Sequence, residues 1–153
     1  MKTLACERDK AEILRRLRTL RPDSQRRWGR MTVHQMVCHL SDSFRVVLGR
    51  MSVSTAITLP SRTIIKWIAL YLPLPWPPGI RTRPELDQVY GGGTKPGDFA
   101  GDLADLEHLT ELVTAPNVEF ALDSHPLFGR MSKALWLRWG YLHMDHHLRQ
   151  FGA

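Results

Sequence analysis

The run Ser132-Lys133-Ala134-Leu135-Trp136-Leu137-Arg138-Trp139-Gly140-Tyr141-Leu142-His143-Met144-Asp145-His146-His147-Leu148-Arg149-Gln150-Phe151 has one consistent conformation, a helix that carries histidines. Ser132 is a favoured N-cap residue, and no proline interrupts the residues after it. Residues at i and i+4 lie about 5–6 Å apart on one helix face, so His143 and His147 can reach a single ion. At about 100° per residue with His143 as origin, Trp136 falls near 20°, His147 near 40°, Gly140 near 60°, Gln150 near −20° and His146 near −60°. Gly140 is expected to open space beside the histidine pair. Asp145, at about 200°, points away from it.

Other segments repeat the helical period. Residues 3–20 set Leu4, Ala11, Ile13, Leu14, Leu17 and Leu20 among charges, and Arg21-Pro22-Asp23-Ser24 ends that helix. Thr32 and Gln35 have capping-box spacing, and the apolar positions from Met36 to Leu48 predict a second helix reaching about Gly49. Residues 62–72 predict a short apolar helix behind Pro60, too short and too broken by charge to span a bilayer. Residues 73–98 hold Pro73, Pro75, Pro77, Pro78, Pro84, Pro96 and the run Gly91-Gly92-Gly93. They predict a long irregular connection laid over the core. The glycine run lacks the Lys-Ser/Thr of a phosphate loop and reads as a turn. A third long helix is expected over 98–115, ended by Pro116-Asn117. Almost nothing alternates with period two. The fold class is therefore all-α, a four-helix bundle with a long Pro/Gly-rich connection between helices two and three, in a single domain over residues 1–153.

Composition removes several alternatives. A chain of 153 residues with 43% apolar and 24% charged side chains is long enough to bury its own core. Two cysteines, Cys6 and Cys38, form no CxxC pair and no disulfide framework, which suits reduced thiols in the cytoplasm. The first residues turn charged at once and contain no signal-peptide core. Much of the net charge of +6 comes from Arg15, Arg16, Arg18, Arg21, Arg26, Arg27 and Arg30. No aromatic platform is interleaved with them, so they are read as a solvated helix face, and neither nucleic acid nor membrane is expected as a partner.

A third histidine turns the pair into a site. His39 lies seven residues past the Thr32 cap, about 10 Å along its helix, while His143 and His147 lie about 16 and 22 Å along theirs. Two antiparallel helices can bring all three near one level. Three imidazoles on a divalent transition metal leave a position open, the layout of a reactive centre. For proton transfer the candidates are Asp42 and Ser43 beside His39, and His146 and Gln150 beside the pair. His34, His108 and His125 have no spacing partner and are expected at the surface or in loops.

Two helix starts echo each other: Trp28-Gly29-Arg30-Met31-Thr32 before His39, and Phe128-Gly129-Arg130-Met131-Ser132 before His143. These segments, with Val33 to Leu40, Tyr141 to Phe151 and the connection from Pro84 to Phe99, resemble the DinB/YfiT-like superfamily. More narrowly, they resemble a branch known only as a domain of unknown function. The resemblance implies an up-down-down-up four-helix bundle, often dimeric, with His39, His143 and His147 holding zinc or nickel (iron or manganese being further candidates) and His146 a neighbouring non-ligand. It further implies a small-molecule substrate and, in the better-known members, a low-molecular-weight thiol. The chain departs from that pattern in carrying Leu148-Arg149-Gln150 where Arg-Gly-Gln is usual. The expectation is a metal-dependent hydrolase or thiol transferase. The competing one is a non-catalytic helical module whose histidines serve structure or a dimer interface.

Overall fold

The computed structural model describes residues 1–121 and 123–153. Its helices are α1 (Glu7–Leu17), α2 (Val33–Val47), α3 (Lys66–Tyr71), α4 (Phe99–Thr114) and α5 (Lys133–Gln150). The all-α expectation holds. Among the described residues the regular strand structure is one two-residue ladder, β1 (Ser124–His125) against β2 (Gly129–Arg130), antiparallel with His125 opposite Gly129.

Helix starts follow their local chemistry. Thr32 and Gln35 form both halves of a capping box at the head of α2: Thr32 Oγ1 accepts from the Gln35 amide at 3.2 Å, and Gln35 Oε1 accepts from the Thr32 amide at 2.9 Å. Asp98 caps α4 and Ser132 caps α5. The expected helix over 3–20 is shorter at both ends. Leu4 leaves the helical path because its amide bonds the Leu137 carbonyl at 3.2 Å and its side chain is 1% exposed. A buried contact with α5 thus outweighs one more helical turn. The segment predicted over 62–72 has two parts, a π-helical turn Ser61–Ile65 followed by α3, with Thr58 and Ser61 exchanging hydrogen bonds at its head.

α2 packs between α4 and α5, and α1 and α3 lie against α5. One core joins Ile13 and Leu17 of α1, Met36 and Leu40 of α2, Leu106 and Leu109 of α4, and Met144 and Leu148 of α5. A second gathers Val47, Leu70, Phe128, Trp136 and Trp139. Gly140 serves the first core: a Cβ there would meet Leu4 Cδ1 at 2.9 Å and Phe44 Cε1 at 3.2 Å. The expectation that it opens space beside the histidines is corrected, since its space is taken by neighbouring chain. The arginine-rich start also differs from a merely solvated face. Arg16 reaches Asp145 at 2.7 Å, and Arg18 bonds both oxygens of Glu107, so these two cations tie α1 to α5 and α4. No helix among the described residues is long and apolar enough to cross a membrane.

Candidate metal centre

α2 and α5 bring the three histidines singled out from the sequence into one cluster. The ring centroids of His39, His143 and His147 stand 5.1, 5.0 and 4.9 Å apart, nearly an equilateral triangle. One nitrogen from each lies within 4.8 Å of the others. His39 Nε2 and His143 Nε2 are 3.1 Å apart.

Two of the rings have their tautomers set by their neighbours. His39 Nδ1 donates to the Leu86 carbonyl at 3.0 Å, where the proline-rich connection folds back over α2. His147 Nδ1 meets Gln150 Oε1 at 2.9 Å, and Gln150 Nε2 donates to the Trp28 carbonyl at 2.8 Å. The Trp28 carbonyl fixes which way the Gln150 amide faces, so His147 must be the donor. Both rings then carry hydrogen on Nδ1 and a lone pair on Nε2. Burial pushes His39 below the ordinary histidine pKa and pushes His143 and His147 well below it; the neighbouring rings act in the same direction on His143 and His147. The three are uncharged at neutral pH, the form that ligates metal.

The donor set fits a divalent ion. Ligand bonds of about 2.0–2.1 Å at tetrahedral angles place neighbouring nitrogens about 3.3 Å apart, close to the observed 3.1 Å. Without an ion, His143 must turn a hydrogen toward the His39 lone pair. With one, both lone pairs point at the same centre.

The chain as a whole matches one known family. The profile of the family described as "Protein of unknown function (DUF1569)" matches residues 6–153. The chain belongs to that family. Comparison with curated proteins and with solved structures gives no match. In this DUF1569 chain the remaining sequence candidates fall in distinct places. Ser43 and His146 line the cavity that opens from the histidines. Gln150 orients His147. Asp42 is fully buried with both oxygens engaged: Oδ2 accepts from the Thr94 amide at 2.7 Å and Gln88 Nε2 at 3.0 Å, and Oδ1 from Thr94 Oγ1 and Arg45 Nη1, each at 2.7 Å. That arrangement makes it a clamp on the 84–98 connection.

Two histidines expected at the surface or in loops take on other tasks. His125 is 9% exposed, lines the same cavity and stacks on Phe128 at 4.7 Å. Its Nδ1 accepts from the Leu127 and Phe128 amides at 3.1 and 3.2 Å, and burial pushes its pKa down to about 3. A histidine two residues from a tight turn can take this acceptor role, but no sequence spacing announces it. His34 Nε2 lies 2.6 Å from Asp102 Oδ2, which also accepts from the Gly97 amide at 2.9 Å, pinning the start of α4 to α2. His108 is exposed on α4 as expected. Both cysteines are free, and burial drives Cys38 up to about 12, far from a reactive thiolate.

Proposed function

We propose that this chain is a divalent-metal-dependent enzyme acting on a small molecule, by hydrolysis or by thiol transfer. One observation carries the reading: three uncharged imidazoles from two helices converge in the wall of an apolar cavity of about 460 Å³. His39, His143 and His147 would hold the ion, with zinc or nickel favoured by an all-imidazole donor set. Such an ion supplies Lewis acidity and lowers the pKa of a water or thiol at its open position. Leu86 and Gln150 keep two ligand rings in the correct tautomer. His146 donates from Nδ1 to the Trp76 carbonyl at 3.3 Å and lines the cavity, so its Nε2, which has no hydrogen-bond partner among the described residues, would be the atom to take a proton. The packing of α2 against α4 and α5, and of α1 against α5, supports a four-helix bundle; the up-down-down-up order and the frequent pairing into dimers are what the DinB/YfiT-like resemblance implies.

The test is the metal content of the purified protein, measured beside His143→Ala/His147→Ala with folding checked by circular dichroism. The wild type should hold about one zinc or nickel per chain and the double variant should lose it. Equal metal in both would reject these ligands. Screens of ester hydrolysis and of thiol conjugation then separate the two reaction types. A second reading also has an observation behind it, because the 3.1 Å contact between His39 and His143 is a complete hydrogen bond without any ion. In that reading the chain is a non-catalytic helical module, and chelators should not change its melting temperature.

A further inference from the structure

The cavity in front of the histidines has a one-sided chemistry. Its walls come from Ile68 and Leu74 of the 57–80 segment, from Trp76 at the start of the proline-rich connection, and from Trp136 and Trp139 of α5. Among the described residues no Asp or Glu lines it, and its formal charges are Arg81 and Arg83. Arg83 is spent on Ser54, whose carbonyl and hydroxyl it bonds. Arg81 is exposed at the rim and has no ion-pair or hydrogen-bond partner among the described residues.

The surface around the rim continues the pattern. Of the eleven large apolar side chains that are exposed among the described residues, nine lie between Ile57 and Ile80. Ile65, Ile68, Leu74 and Ile80 are each 46–61% exposed and also line the cavity. From Ser43 to Pro84 the sequence has no carboxylate, yet it holds Arg50, Arg62, Lys66, Arg81 and Arg83, beside an Arg45 whose charge is met by Asp42 and Asp105. Such a mouth repels cations, offers a hydrophilic body few partners, and attracts apolar anions.

We infer that the substrate is an amphiphilic anion whose aliphatic or aromatic body fills this cavity, with a carboxylate-like group at Arg81 and its reacting group at the three histidines. Only the last clause rests on the metal reading above. The cavity chemistry stands without it.

The experiment measures binding of straight-chain carboxylates from acetate to decanoate, and of 1-octanol, to zinc-loaded and to chelator-treated protein, with zinc content determined on each sample. Affinity should rise about fourfold per added methylene until the chain outgrows the cavity. Arg81→Glu, at an exposed position that folding does not depend on, should weaken octanoate about tenfold and leave 1-octanol unchanged. Ala69→Trp should flatten the chain-length series by filling the cavity. Affinity that ignores chain length would overturn the inference, as would an octanoate-to-octanol ratio that survives Arg81→Glu. Zinc bound with a flat series would sink the substrate class and spare the metal centre. A steep series on protein that takes up no zinc would do the reverse.

Discussion

Gln150 offers the sharpest probe of the centre, because it touches a proposed ligand without being one. It is 4% exposed, and its amide spans two partners, accepting from His147 Nδ1 at 2.9 Å and donating to the Trp28 carbonyl at 2.8 Å. Gln150→Leu keeps the volume and deletes both bonds. The His147 ring is then free to rotate or to change tautomer, and loss of such an outer partner costs about 10–100-fold in metal affinity. That factor corresponds to about 1.4–2.7 kcal/mol. Two neutral hydrogen bonds are also lost from the fold, each contributing about 1 kcal/mol, so the metal-free protein should be destabilised by about 2 kcal/mol. Chelator competition reads the first effect and urea unfolding of the metal-free protein reads the second. The stability loss alone is what any buried amide would produce. An affinity within twofold of wild type would therefore refute the positioning argument even if the protein had become less stable.

Three further outcomes rest on named contacts. The His125 pKa lies at about 3 in the fold against an ordinary histidine value of 6.5, so below pH 6.5 the unfolded chain takes a proton that the folded one refuses. Stability should fall by about 1.4 kcal/mol per pH unit on this account, about 2 kcal/mol by pH 5. His125→Asn, whose side-chain oxygen can still accept from the Leu127 and Phe128 amides, should remove that slope in urea titrations at stepped pH. Parallel pH profiles for the two proteins would count against the assignment. Asp42→Ala leaves Arg45, Thr94 and Gln88 without their shared acceptor and should cost about 3 kcal/mol in chemical denaturation, whereas a cost near zero would mean that the clamp holds nothing. Gly93→Ala puts a methyl at φ +71° within 2.5 Å of Asp42 Oδ2 and Gln88 Nε2, so limited proteolysis should find the 84–98 connection loosened, and unchanged cleavage would refute that.

What could be read in the sequence was what is local. The Thr32/Gln35 capping box, the Asp98-to-Pro116 helix and the i, i+4 histidines each depend on neighbours within one or two turns, and each lies where its pattern put it. The meeting of His39 with the pair was likewise within reach of the sequence, because rise per residue fixes each histidine's depth along its helix once the caps are known, and α2 packs against α5. What could not be read depends on long-range contacts. Leu4 ends α1 early because of a bond to Leu137, and Gly140 answers to Leu4 and Phe44. His125 is an apolar-packed acceptor because Trp136 and Trp139 of α5 surround it. Asp42 looked like a base beside His39, but nothing in its own helix shows that Thr94 and Gln88 return to occupy it.

The groups behind the ligands bear on reactivity as much as the ligands do. A histidine whose outer nitrogen faces a carboxylate becomes a more basic, more electron-rich donor and tempers the ion it holds. Here the two assigned outer partners are a backbone carbonyl, Leu86, and an amide oxygen, Gln150. The cavity in front contains no carboxylate either. Three neutral ligands, two of them with neutral supports, would leave a divalent ion most of its charge, tempered from behind the His39 ring by the buried Asp42 and by Asp87. Such a centre is suited to polarising an acyl group or drawing a proton from a thiol, and it has no use for a cationic substrate. The same lack of carboxylates in the ligand supports and the cavity lining that would sharpen the ion as an electrophile would also clear the route past Arg81 for an anion. In the proposed centre, the ligand shell and the cavity mouth would therefore favour the same chemistry within one cavity.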